Sequence, residues 1–232
     1  MDIDVIPRGV VQRVPGMSMA VTPPAIRVKS HWFKAGTPKT PEQQAGAMAF
    51  IVWRAAHNML KRMRGARFDI DAGAPYFAFL REVLVFMIAV VDRIAFVRVS
   101  PATRAAFTTA LVHRCADTLA DNETELLGPC AEGSSYRASF IDLVNEVTQH
   151  YGEFGADPQT ADPQVGFTPD FAFLRYLGSR LAQTLPPKDQ HWVLDQVMAV
   201  EAPAAVEIVQ GAMRNLLSTE PRKTRRTALS GD

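Results

Sequence analysis

Four side chains with the chemistry of metal ligands lie in pairs on two neighbouring predicted helices. Glu146 and His150 are four residues apart, and so are His113 and Asp117. Residues four apart share one face of a helix, so each pair can reach a common ligand. Imidazole together with carboxylate suits iron, manganese or zinc. If the two helices pack antiparallel, the pairs would converge into one divalent-metal site in a bundle core.

A simpler interpretation of the same residues competes with the metal site. Di-iron bundles carry a Glu-x-x-His motif on each of two helices, and that motif is absent from this sequence. Glutamate–histidine pairs four residues apart are also common surface contacts, each worth roughly a few tenths of a kcal/mol. The first expectation is therefore that no cofactor is bound, and a metal- or cofactor-binding bundle enzyme is the alternative.

Residues 76–97 form the most apolar stretch of the chain. Every residue from Val83 to Val91 is apolar, and a helix that is apolar all round is enclosed by other helices or by lipid. A bilayer span needs about 20 apolar residues with few or no charges, and the uncharged run is about half as long. We therefore predict the central helix of a soluble bundle rather than a membrane span.

Charged residues near the two ends of this central helix form a further candidate site. Glu82 and Arg93 are nearly three helical turns apart and share a face. Because a buried charge must be paired to be tolerated, we expect structural ion pairs, with Arg54 or Arg137 as a partner for Glu82. The alternative is an internal polar site that contains Glu82 and Arg93.

Composition divides the chain into an arm, a body and a tail. Residues 1–41 are rich in proline and have six basic and two acidic residues, a net charge of +4. Residues 42–218 have 15 basic and 20 acidic residues, a net charge of −5. Residues 219–232 have four basic and two acidic residues, a net charge of +2. The arm is also rich in apolar residues, which predicts an extended segment lying on an apolar surface, with Trp32–Phe33 as its anchor.

The body has helix-start signals and helical spacing of its apolar residues, with no competing strand pattern. We predict one all-α domain of six or seven helices, with starts at Thr40–Pro41, Pro75, Ser100–Pro101, Ser134 or Ser135, Thr168–Pro169–Asp170 and Asp189, and with Pro203 kinking the sixth helix or starting a seventh. Residues 121–133 are predicted to be a polar linker. The sequence ADPQ occurs twice within 156–164, which indicates a structured surface loop.

No motif for nucleotide hydrolysis, serine hydrolysis or zinc proteolysis is present, and neither Cys115 nor Cys130 has an activating neighbourhood. The absence of these motifs favours a protein that is not an enzyme, without deciding the question.

The leading hypothesis is a helical protein that associates with another protein, most simply as a homodimer. It is expected to be cytoplasmic with reduced thiols, because the N-terminus has no apolar signal segment.

Nucleic-acid binding is a second alternative, which would use the basic arms together with a cluster of cations at the end of the first helix. That cluster consists of Lys61, Arg62, Arg64 and Arg67. It also has a structural explanation, because cations are favourable at the negative end of a helix dipole.

Overall fold

The computed structural model describes residues 39–155 and 167–217. The predicted arm with Trp32 and Phe33, the loop with the repeated ADPQ sequence at 156–164, and the basic tail at 219–232 lie outside these residues. The described chain consists of helices with no β-strand, so the prediction of an all-α fold is confirmed.

Seven α-helices follow one another in the described residues. They are α1 Pro41–Gly65, α2 Ala74–Arg98, α3 Pro101–Leu127, α4 Tyr136–Glu153, α5 Phe171–Ala182, α6 Pro187–Gln196 and α7 Ala202–Leu217, with a π-helical turn at Val197–Glu201 between the last two. Helices α1, α3, α4, α5 and α7 all contact α2.

Helix α2 is the central helix that the apolar run predicts. All residues from Val83 to Val91 are buried. By length and composition alone α2 could cross a membrane, but 72% of its most apolar window is buried inside the protein. A core helix enclosed by the other helices of a bundle is buried to this extent.

The helix starts depend on the side chains that the sequence singles out. Thr40 and Gln43 form a capping box, with Thr40 Oγ1 accepting from the Gln43 N–H and Gln43 Oε1 accepting from the Thr40 N–H. Ser100, Ser135 and Asp170 each accept a hydrogen bond from a backbone N–H in the first turn of α3, α4 and α5.

The third helix is longer than predicted. Residues 121–127, expected to begin a polar linker, continue α3 as far as Leu127. Glu123 explains the difference, because its carboxylate is buried and bonded to Arg81 of α2, so this polar stretch has an inward-facing partner. The helix ends at Gly128, whose φ of +85° is available to glycine at little cost.

Of the two predicted roles of Pro203, the start of a seventh helix agrees with the structure, because α7 begins at Ala202 and a π-helical turn joins it to α6. Proline has no N–H, so it cannot donate the usual bond to the carbonyl four residues earlier. The Ala202 N–H instead donates to the Val197 carbonyl, five residues back, which closes a π-helical turn. Glu201, in this turn, is completely buried.

Candidate functional site

Three buried carboxylates connect the helices, and each is bonded to one arginine from a distant part of the sequence. Buried acidic side chains in the described residues are Glu82, Glu123 and Glu201. Their partners are Arg180, Arg81 and Arg62 respectively, at 2.6–2.8 Å between the closest charged atoms. A buried charge needs such pairing to be tolerated. A structural role in connecting the helices therefore accounts for these three pairs.

The expectation of an ion pair for Glu82 is confirmed, but the expected partners are wrong. Glu82 on α2 is bonded by Arg180 on α5, with both carboxylate oxygens accepting. Arg137 instead donates to Asp117 at 2.7 Å, and Arg54 lies over the ring of Phe50. Arg54 and Arg137 thus have other contacts, and the cation that bonds Glu82 lies on α5.

Two tyrosines, Tyr151 and Tyr176, lie near the Glu82–Arg180 pair. Burial raises the pKa of Tyr151 well above its ordinary value, and the Glu82 carboxylate raises it further. Burial also raises the pKa of Tyr176, opposed by the cation of Arg180. Both phenols therefore remain neutral at physiological pH, which suits hydrogen bonding and packing rather than proton transfer.

The four candidate metal ligands do not converge. Asp117 is exposed and bonded to Arg137. Glu146 and His150 are exposed on α4 on the side of α5, where His150 lies 5.9 Å from the ring of Tyr176 and the Glu146 charge acts on Arg180. Across residues 39–155 and 167–217, no three His, Cys, Asp or Glu side chains form a group that could hold a metal ion.

The physical reason is that the pair on α3 and the pair on α4 do not face each other. His113 lies beside residues 145 and 149 of α4, whereas the Glu146–His150 pair lies on the adjacent face, toward α5. Residues one apart on a helix point about 100° apart. The spacing of four residues places the two members of each pair on one helix face, but it does not bring the two pairs together.

Arg93 is separate from Glu82, so the two do not form one internal polar site. Its guanidinium donates to the Phe154 carbonyl at the end of α4 and lies 5.2 Å from the centre of the Phe167 ring. Its Nε is buried and has no hydrogen-bond partner among the described residues. Arg93 is thus a partly buried cation whose bonding capacity is incompletely used.

Arg93 lines a cleft of about 410 Å³ between α2, α3 and α4. The cleft is formed by the C-terminal part of α2, the N-terminal half of α3 and residues 141–152 of α4. Ile88, Val112 and Val144 contribute apolar surface, and Thr109 and Gln149 contribute polar groups. His113 also lines this cleft, away from the other proposed metal ligands.

A second guanidinium in the cleft is already neutralised. Arg104 of α3 bonds both carboxylate oxygens of Asp92 of α2, and Thr108 donates to the same carboxylate at 2.9 Å. The pair raises the pKa of Arg104 through its hydrogen bond with Asp92. No local pattern in the sequence predicts this pair, since the partners are on different helices twelve residues apart.

The basic cluster at the end of α1 is partly occupied by intramolecular contacts. Arg62 bonds the buried Glu201, and Arg64 donates twice to the Ile70 carbonyl. Lys61 and Arg67 are exposed, and Arg67 has a φ of 70° in the turn after the helix. Two of the four cations therefore have defined roles in stabilising the fold.

His57 is a half-buried histidine whose two ring nitrogens both have hydrogen-bond partners. Its Nδ1 lies 3.0 Å from the Trp53 carbonyl, which requires the proton on Nδ1. Its Nε2 then accepts from the Tyr76 hydroxyl at 2.7 Å. Both ring nitrogens thus have partners, and the bond with Tyr76 connects α1 to the start of α2.

Comparisons with known proteins give no relative for this chain: no family model, no curated protein and no solved structure matches it.

Proposed function

We propose that this protein works by binding another protein chain, and that a second copy of itself is the partner to test first. The observation that supports the proposal is a set of large apolar side chains exposed between residues 171 and 200. Phe171, Trp192 and Val200 are 70%, 68% and 46% exposed. Exposed aromatic side chains of this size commonly supply most of the binding energy of an interface.

The packing of α5 against α6 supports treating these residues as one region. The two helices are joined by a short turn and approach closely at Gly178 and Leu194. Helix α5 also packs against the π-helical turn that contains Val200. Trp192 lies on α6 two turns before Val200. We call Phe171, Trp192 and Val200 the α5–α6 surface.

The apolar composition of residues 1–41 adds a second reason to propose association. Covering apolar surface with a segment of that composition removes apolar groups from water and so lowers the free energy. Nucleic-acid binding has less support, since Arg62 and Arg64 are already bonded within the fold. The metal-enzyme alternative has less support as well, since its four candidate ligands do not form one group.

Sedimentation equilibrium of the full chain over a wide concentration range tests the proposal. We expect a dimer for the natural sequence, and a dissociation constant raised about 30-fold or more by Phe171→Ser combined with Trp192→Ser, as for residues central to an interface. Leu126→Ser is the matched control, because Leu126 is 65% exposed but lies on α3.

Circular dichroism must show unchanged helix content in all variants. A natural sequence that stays monomeric at the highest concentration contradicts self-association. A double variant that dimerises as tightly as the natural sequence contradicts the assignment to the α5–α6 surface.

A further inference from the structure

We propose that the cleft between α2, α3 and α4 binds a small molecule that has an apolar body and one carboxylate group. The proposal does not depend on the association proposed above, since the cleft and the α5–α6 surface share no residue. It is based on the charge of Arg93, on the bonding of Asp92, and on the size and lining of the cleft.

Arg93 differs from the other shielded arginines of the described chain. Six arginines there are at least partly buried, namely Arg62, Arg81, Arg93, Arg104, Arg137 and Arg180. Five of them bond a carboxylate. Arg93 bonds only the Phe154 carbonyl, and its Nε has no partner among the described residues. Since an arginine side chain stays protonated, a positive charge remains on this wall of the cleft without an anionic partner among residues 39–155 and 167–217.

The neighbouring carboxylate cannot neutralise Arg93 as well. Asp92 Oδ1 accepts from Arg104 Nε and from Thr108 Oγ1, and Asp92 Oδ2 accepts from Arg104 Nη2. The charged residues that line the cleft are Asp92, Arg93 and Arg104, with His113 as a further titratable group. With His113 neutral, they sum to one positive charge. One carboxylate from a ligand would balance this charge and could accept a charge-assisted hydrogen bond from the Arg93 guanidinium.

The remaining lining suits an apolar ligand body. Ile88, Val112, Ile141 and Val144 give an aliphatic surface, and Thr109 and Asn145 are exposed at the edge where polar ligand atoms could bond. A volume of about 410 Å³ falls within the range of roughly 300–1,000 Å³ found for small-molecule sites. Mixed apolar walls with a few converging polar groups are typical of such sites.

Isothermal titration calorimetry with hexanoate and hexanamide on the full chain tests the proposal. The two probes have nearly the same shape and differ in charge. We expect hexanoate to bind at least about tenfold more tightly than hexanamide, because a hydrogen bond to a charged group is stronger than a neutral one. Arg93→Met should weaken hexanoate binding by a similar factor. Arg98→Met is the matched control, because Arg98 is exposed on the same helix and does not line the cleft.

A second variant guards against a folding defect caused by loss of the Arg93–Phe154 bond. Thr109→Trp changes an exposed residue of the cleft wall and leaves both guanidiniums intact, so it should abolish hexanoate binding by occupying the space. The proposal is overturned if hexanoate does not bind to the natural sequence, or if hexanamide binds equally well. It is also overturned if either Arg93→Met or Thr109→Trp leaves the affinity for hexanoate unchanged.

Discussion

Arg180 of α5 donates two hydrogen bonds to the Glu82 carboxylate of α2, with Nε–Oε2 at 2.9 Å and Nη2–Oε1 at 2.6 Å. The two residues are 98 positions apart in sequence. Their side chains are 19% and 11% exposed, so solvent screens the pair only weakly. The pair attaches α5 to the central helix and gives the buried Glu82 the partner it requires.

Removing one member of this pair should destabilise the fold strongly. We expect Arg180→Met to lower the free energy of unfolding by about 3 kcal/mol, because it leaves the Glu82 carboxylate buried without a cation. Combining Arg180→Met with Glu82→Leu should recover part of the loss, since no uncompensated charge then remains. Urea unfolding followed by circular dichroism measures all three proteins.

Arg137→Met is the matched control for that series. The Arg137–Asp117 pair is 43% and 51% exposed, and exposed pairs contribute about 1 kcal/mol or less. Equal losses for Arg180→Met and Arg137→Met would show that burial does not set the contribution of these pairs.

Gly178 permits the close packing of α5 against α6. A Cβ added at Gly178 would lie 2.6 Å from Leu194 Cδ1 and 3.5 Å from Leu194 Cα, so a larger side chain must push the helices apart. We expect Gly178→Val to lower the unfolding free energy by about 1–3 kcal/mol, the usual cost of overpacking. Gly46→Val should change it by about 0.5 kcal/mol or less, because a Cβ there meets no atom within 4 Å. A larger loss at Gly46 than at Gly178 would contradict this packing.

The two cysteines should differ in reactivity. Burial raises the pKa of the Cys115 thiol to about 12, whereas Cys130 is only half-buried. A raised pKa keeps the thiol protonated, so the reactive thiolate of Cys115 is scarce in the folded protein until the pH approaches that value. We expect a thiol reagent at mildly alkaline pH to label Cys130 first, and to label Cys115 only after denaturant is added. Mass spectrometry of peptides identifies the labelled residue, and rapid labelling of Cys115 in the folded protein would contradict its burial.

The separation of the candidate metal ligands also gives a prediction. Glu146 and His150 lie toward α5, whereas His113 lines the cleft. We therefore expect that the two pairs do not bind one metal ion together, so no rise in Tm on adding metal should depend on residues of both pairs. Thermal unfolding with and without Zn²⁺ or Mn²⁺, and elemental analysis of the purified protein, test this expectation. A rise that is lost in both His113→Ala and Glu146→Gln would show that the four residues act as one site.

The local features of this fold follow from sequence alone. Proline after a threonine or serine marks the start of α1 and α3, and the apolar run from Val83 to Val91 identifies the central helix. These features are readable because capping and helical periodicity depend on residues within a few positions of one another. The end of α3 was misplaced because the helical state of residues 121–127 depends partly on Glu123 meeting Arg81 on another helix.

The partners of charged residues were decided only by the tertiary structure. The burial of Glu82 requires a cationic partner. That the partner is Arg180 depends on how α5 packs against α2, and no local sequence pattern predicts that contact. The same is true of Asp92 with Arg104. It is also true of Arg93, whose lack of a carboxylate partner within the described part of the chain is visible only once the other five partly buried arginines are matched. Spacing along one helix determines which side chains share a face, whereas the packing of several helices determines which faces meet.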